Sequence, residues 1–379
     1  MDKKIRVGII FGGRSGEHEV SLASAQSVAR AIDPTQYEVI LIGITKQGRW
    51  IAGAHALKQL AAASPTPLLA PGDDVSGEAT SESLSSAELV PVGMPSSANT
   101  SPLATIDVAF PLVHGTFGED GTLQGLLELA DIPYVGAGVA ASAVGMDKAL
   151  MKALFRAHDL PVVDWITILR REWESQPEET IRRIESAFGY PCFIKPANLG
   201  SSVGVTQARN WDELAQALAT AAQYDRKMIA ERAARNAREI ECSVLGNDDP
   251  LASTPGEIIP QRAFYDYVAK YANDSGTELI VPADLPPGLA RQVQDLAVRA
   301  FKAADASGMA RVDFFLERAT NRLLVNEINT IPGFTAVSMY PRMWAHSGVP
   351  YPALIDRLIQ LALERHADKR KSKTTYEAN

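Results

Sequence analysis

The sequence is short of cysteine, of positive charge and of long apolar runs, and each shortage removes a class of function. Its 379 residues include two cysteines, Cys192 and Cys242. Each lies in an apolar, strand-like stretch without the spacing of a zinc or redox motif, so both read as reduced core thiols of a cytoplasmic protein. No apolar run is long enough to span a bilayer, and the stretch behind the basic start MDKKIRVGIIFGGRSG is too short for a signal peptide, so no membrane partner is expected. A net charge of −8 argues against nucleic acid as a partner, although an anionic ligand held locally remains possible. Two nucleotide signatures are also missing. GGRSG, residues 12–16, lies between a strand and a helix, a place for an anion, but it lacks the G-x-G-x-x-G order. No acid ends the second strand where a ribose contact belongs, which leaves a dinucleotide-dependent oxidoreductase a distant reading. Lys195 heads a Gly/Ser loop followed by a second strand, so there is no P-loop, which runs into a helix.

What is present is a chain of 46% hydrophobic and 22% charged residues, long enough for two or three domains. KIRVGIIFGG, SLASAQSVARAI and YEVILIGIT read as strand, helix, strand, a βαβ opening that implies a parallel sheet. The expected fold class is α/β followed by α+β. Residues 1–140 form an N-terminal α/β domain with a loop-rich Ser/Pro/Ala/Gly segment at 61–101 and one short strand near Leu89–Val92. Residues 141–236 and 237–367 form two α+β regions, and 368–379 a polar tail. IPYVG is expected to add a short strand after the helix TLQGLLELAD.

Two segments carry chemistry. In RVDFFLERATNRLLVNEIN, period-two alternation puts Arg311 and Asp313 on one face of the first strand, and Glu327 and Asn329 on one face of the second. If the strands pair through the polar turn, Asp313 faces the other two. Two carboxylates and an amide oxygen are a hard-oxygen set, suited to magnesium shared with phosphates; the bland reading is a solvated edge strand with stray acids. In FIKPANLGSSVGVTQA, a glycine-rich flap joins two strands, with backbone N–H groups and the Ser201 and Ser202 hydroxyls free to close on phosphates and Lys195 at its base. Its bland reading is a loose hairpin.

The blocks GGRSGEHEVSLASA, HGTFGEDGTLQG, GMDKALMK, FIKPANLGSSVGV, AREIECSVLGN, FYDYVAKY, MARVDFFL and NEINTIPGFTAVSMYP occur in this order. Together they resemble the D-alanine–D-alanine ligase family of the ATP-grasp superfamily, over nearly the whole chain except residues 61–101 and the tail. The resemblance implies an ATP-grasp fold, with an N-terminal parallel-sheet domain and two α+β subdomains clasping ATP. It implies an ADP-forming ligase of peptidoglycan precursor synthesis and cell-wall biogenesis, with Mg2+ or Mn2+, dependence on a monovalent cation left open, and a homodimer.

By the same resemblance, Lys148 and Lys195 hold ATP phosphates with Ser201 and Ser202, while Glu231 contacts the adenine amino group and Glu239 the ribose. Asp313, Glu327 and Asn329 are the metal ligands. Arg311 and the Gly333 N–H stabilise the tetrahedral transition state. Glu19 anchors the first D-alanine's ammonium, with His114 nearby. Ser338 and the Met339 backbone take the second substrate's carboxylate. Lys270 and Tyr271 lie on an active-site lid, and Ser201 ties the flap to Tyr271 and Glu19. Glu231 and Glu239 are eight residues apart, one more than the family pattern. A D-alanine–D-lactate ligase is the nearest alternative, and Tyr271 speaks against it because phenylalanine tends to stand there in lactate-using members. A catalytically silent nucleotide-binding protein is disfavoured by the intact set Lys195, Arg311, Asp313, Glu327 and Asn329.

Overall fold

The computed structural model describes residues 3–62, 102–234, 236–259 and 277–375. The strand expected near Leu89–Val92 and the segment holding Lys270 and Tyr271 lie outside the described residues.

The first sheet follows the apolar runs of the N-terminal third. Its elements are β1 (Ile5–Gly12), α1 (His18–Ala31), β2 (Tyr37–Ile44), β3 (Trp50–Ala52), α2 (Ala56–Ala62), β4 (Val108–Pro111) and α3 (Thr122–Leu129). β1 is parallel to both β2 and β4, and β3 closes the edge antiparallel to β2. β4 is buried along its whole length, as expected of an apolar run in a parallel sheet. The short strand expected after α3 is reduced to one parallel bridge between Ala109 and Tyr134. Pro133 has no N–H to extend the ladder, and Gly136 turns left-handed with φ +96°.

The second sheet is antiparallel. α4 (Val139–Met146) and α5 (Lys148–Ala157) precede β5 (Trp165–Leu169), α6 (Arg170–Ser175), α7 (Pro177–Phe188), β6 (Cys192–Pro196), β7 (Thr206–Ala208), α8 (Trp211–Tyr224) and β8 (Lys227–Arg232). The strand order is β5-β8-β6-β7. Ile181 and Ile184 of α7 and Leu214 and Leu218 of α8 share its core with Ile194 and Met228. Asp147 caps α5, accepting from the N–H groups of Ala149 and Leu150 at 3.1 Å each. That cap makes Lys148 the first residue of the helix.

The third sheet holds β9 (Ala237–Gly246), β10 (Leu251–Ala252), β11 (Gly256–Ile259), β12 (Glu278–Ile280), β13 (Gly308–Glu317) and β14 (Leu323–Asn329). It runs antiparallel in the order β12-β11-β9-β13-β14, with β10 on β9. Between β12 and β13, α9 (Pro287–Ala303) buries Val293, Leu296, Ala297, Ala300 and Phe301 against Ile240, Val312 and Phe314. Then come α10 (Met339–His346) and α11 (Tyr351–Lys369).

α11 returns to the first sheet. Its Leu354, Ile355, Leu358 and Ile359 share one core with Val7, Ile9 and Phe110, so the C-terminal helix fastens the third sheet's end to the N-terminal sheet. Phe334 is the pin of this junction. Its ring lies 5.6 Å from Phe110, 5.8 Å from Tyr340 and 5.7 Å from Tyr351. Its carbonyl accepts from the Tyr351 hydroxyl at 2.7 Å. Phe334→Ala is expected to cost about 3–5 kcal/mol of stability by leaving a cavity among three aromatic rings. Phe334→Leu should cost less than half as much, and the urea-unfolding midpoints of the two variants check it.

Candidate active site

The β13–β14 hairpin realises the face read from its alternation. Asp313 stands opposite Glu327, and Arg311 opposite Asn329. On its other side β13 pairs with β9, placing Asp313 opposite Glu241. Glu241, Asp313 and Glu327 therefore form a cross-strand row. Like charges so placed repel unless a cation lies among them. Arg311 supplies it. Its Nε and Nη2 donate to the two Asp313 oxygens at 2.7 Å each, and Nε lies 3.2 Å from Glu241 Oε2. Burial works against the guanidinium charge, but Asp313 and Glu241 outweigh it, so Arg311 is held more firmly protonated than in water. Asn329 Nδ2 donates to Asp313 Oδ2 at 3.1 Å. Sequence reasoning passed over Glu241; its signal was the period-two spacing from Glu239 on β9.

The flap is the connection from β6 to β7, which pair antiparallel. Ser201 and Ser202 both take left-handed backbone, φ +51° and +59°, a strained pair held by the surroundings. Lys148 Nζ donates to the Leu199 carbonyl at 2.6 Å, at the start of the flap. A narrow cleft joins the flap to the hairpin, lined by Lys148, Leu199, Gly200, Glu119, Glu327 and Asn329. Lys195, at the flap's base, meets Glu231 Oε2 at 2.6 Å. Glu231 Oε1 lies 2.9 Å from Lys152, a residue that sequence reasoning did not single out. Burial pushes the Glu231 carboxyl up, but the two lysines overcome it and hold its pKa at about 2. Glu239 sits on β9 opposite Phe315 and Ile258.

The expected tie between Ser201 and Glu19 is not made. Ser201 Oγ donates to Glu17 Oε1 instead. Glu19 points to the turn after β2, where Lys46 Nζ lies 2.6 Å away. The reason is the start of α1. Glu17 is the N-cap residue, outside the helix that begins at His18, while Glu19 lies in its first turn, so the two side chains leave the chain in different directions. Glycines make room for Glu17. A Cβ at Gly115 would lie 2.7 Å from Glu17 Oε2, and Gly115 also has φ +72°.

The loop after β14 is held by the N-terminal sheet. His114 Nδ1–H donates to the Ile331 carbonyl at 2.9 Å, and Glu119 Oε1 accepts from the Ile331 N–H at 2.9 Å. One residue is thus gripped at both its backbone polar groups, two residues before Gly333. Glu119 Oε2 also accepts from Gly115 N–H at 2.7 Å. Its pKa is pushed up to about 8 by burial and by Glu17. Burial keeps His114 neutral by lowering its pKa; with Nδ1 donating, Nε2 is left to accept from Ser24 Oγ at 3.1 Å. Ser338 precedes α10, and its hydroxyl, bonded to Thr335 Oγ1 at 2.8 Å, lies 3.3 Å from where a Cβ on Gly333 would stand. The Met339 N–H opens that helix, an anion-favouring end.

Among the described residues no three His, Cys, Asp or Glu side chains converge as a ready metal cage. Asp313, Glu327 and Asn329 nonetheless present hard oxygens from facing strands, which fits Mg2+ completed by phosphate oxygens and water. Arg311 would have to release part of Asp313 to admit it.

Comparison with known proteins shows the family. Residues 6–137 match the model for the D-ala D-ala ligase N-terminus, and residues 154–360 that for the D-ala D-ala ligase C-terminus. A D-alanine–D-alanine ligase of Geobacillus thermodenitrificans is 48% identical, covering 99% of this chain and 100% of the relative. That of Solibacter usitatus is 48% identical, covering 97% and 98%. The solved D-alanine–D-alanine ligase of Coxiella burnetii is 39% identical with a TM-score of 0.80, covering 97% of this chain and 96% of its own. A D-Ala:D-Ser ligase of Enterococcus faecalis, VanG, is 32% identical with a TM-score of 0.76, covering 95% and 100%. With two family models in sequence along the chain, and a hairpin and flap facing one cleft, this protein belongs to the D-alanine–D-alanine ligase family of ATP-grasp enzymes.

Proposed function

We propose that the protein joins two D-alanines to D-alanyl-D-alanine at the expense of ATP, through an acyl phosphate, for peptidoglycan precursors in the cytoplasm, and that it acts as a homodimer. The observation that carries this reading is the cleft between flap and hairpin, lined by Lys148, Glu119, Glu327 and Asn329. A carboxylate is a poor electrophile, and phosphorylation supplies its leaving group. Lys148 and Lys195, with Ser201, Ser202 and Lys270, hold the phosphates. Glu231 and Glu239 take the adenine amino group and the ribose. Asp313, Glu327 and Asn329 would hold Mg2+ or Mn2+, which neutralises phosphate charge.

The residue roles at the amino acids are those the family resemblance implies, with one change. Glu17, tied to the flap through Ser201, replaces Glu19 as anchor for the first substrate's ammonium, close to His114. Arg311 and the Gly333 N–H face the oxyanion of the tetrahedral intermediate. Ser338 and the Met339 N–H take the second substrate's carboxylate. Tyr271 closes the lid and favours an amine over a hydroxyl nucleophile. The test is phosphate release from ATP with D-alanine, D-serine and D-lactate in turn, followed by product mass. Phosphate release without a D-alanyl dipeptide would overturn the reading.

Two variants separate the carboxylates. Glu17→Gln should raise KM for D-alanine about 10- to 100-fold, the worth of a hydrogen bond to a charged group, while Glu19→Gln stays within about threefold of the parent. Steady-state kinetics at fixed ATP decides, and the reverse order would return the anchor to Glu19. Glu327→Gln should fold normally and lose most turnover. A titration of its activity with Mg2+ that overlays the parent's would remove Glu327 from the metal site.

A further inference from the structure

Lys152 has no role in the chemistry above, yet its side chain is among the largest fully buried ones, 1% exposed. It lies one turn after Lys148 on α5. Lys148 reaches the flap's Leu199 carbonyl, and Lys152 reaches Glu231. Glu231 is thus shared by two lysines from different elements, Lys152 on α5 at 2.9 Å and Lys195 on β6 at 2.6 Å. Among the described residues, Lys195 and, on β14, Glu327 also act on the Lys152 charge.

An ion pair of Glu231 with Lys195 alone would be electrically complete, and burying a second lysine beside it carries a desolvation penalty that this pair does not require. With Lys152 present the three groups carry one positive charge in excess, next to the flap. Without it, Glu231 neutralises Lys195 fully.

Resting on the assignment of Lys195 to the ATP phosphates, we propose that Lys152 is a positioning residue for nucleotide binding: by taking half of Glu231, it leaves the positive charge of Lys195 available to the phosphate chain. A lysine that merely fills the core would affect stability but not the preference for a phosphorylated ligand. The readout is therefore the ratio of ATP to adenosine affinity, from displacement of a fluorescent nucleotide analogue in the whole protein without D-alanine.

Lys195→Met should lower that ratio at least tenfold; if it does not, the phosphate assignment of Lys195 fails, and the proposal with it. Given that fall, Lys152→Met should lower the ratio at least fivefold, and Lys152→Arg should keep it within twofold of the parent. Lys152→Met/Glu231→Gln should restore it to within threefold, since Lys195 is again uncompensated even though the adenine contact is altered for both ligands alike. A ratio unchanged in Lys152→Met, or a double variant no better than the single, would overturn the proposal. If Lys152→Met does not fold, the double variant decides by the same threefold limit.

Discussion

Burial of charge is the constraint on which the site depends. Glu231, Glu241, Asp313, Lys152, Lys195 and Arg311 are all largely withdrawn from water, and none could be so without opposite charge in contact. The solution is two interlocked clusters. One joins α5, β6 and β8 around a single carboxylate. The other joins β9 and β13 around a single guanidinium. Each is unbalanced by itself, the first toward positive and the second toward negative. A bound nucleotide with its metal would correct both, phosphate meeting the lysines and the cation meeting the acids.

The backbone around these clusters is built for support. β9 and β13 are interior strands and β14 is the strand at the sheet's end, all backed by α9, so the carboxylate row is fixed by hydrogen-bonded register and not by side-chain packing alone. Ile331 is gripped at both its N–H and its carbonyl by the N-terminal sheet's loop, and Phe334 sits in an aromatic cage three residues on. Gly333 between them is held by both. The flap has the opposite character. Its two serines take left-handed backbone, and it is tied down by polar contacts from Lys148 and Glu17. Such contacts are easily exchanged for those of a ligand.

The buried Glu119 links these two kinds of structure. It accepts from two backbone N–H groups, one in its own loop and one at Ile331, and lies near Glu17, which holds the flap. Desolvation and a neighbouring carboxylate raise its pKa, while the two donors pull it down. Its position places Glu17, the flap and the loop after β14 within one polar network.

By itself the sequence determined the elements and the faces they present. Period-two alternation placed Arg311 and Asp313 together, and Glu327 with Asn329, because a strand's side chains alternate whatever surrounds it. The apolar runs marked β1, β2, β4 and β6, and a glycine-rich stretch between two strands marked the flap. Family blocks extended this to chemistry. What the sequence could not settle was which of two nearby residues faces inward. GEHEV offers Glu17 and Glu19, and only the start of α1 at His18, docked beside Gly115 and Ser201, decides for Glu17 at the flap. Glu241 and Lys152 were hidden for a related reason. Each lies in a regular element whose neighbours come from far along the chain, Asp313 on β13 for one and Glu231 on β8 for the other. Local periodicity tells which side chains share a face, but the partner of a buried charge is chosen by packing between elements, and that is a property of the tertiary structure.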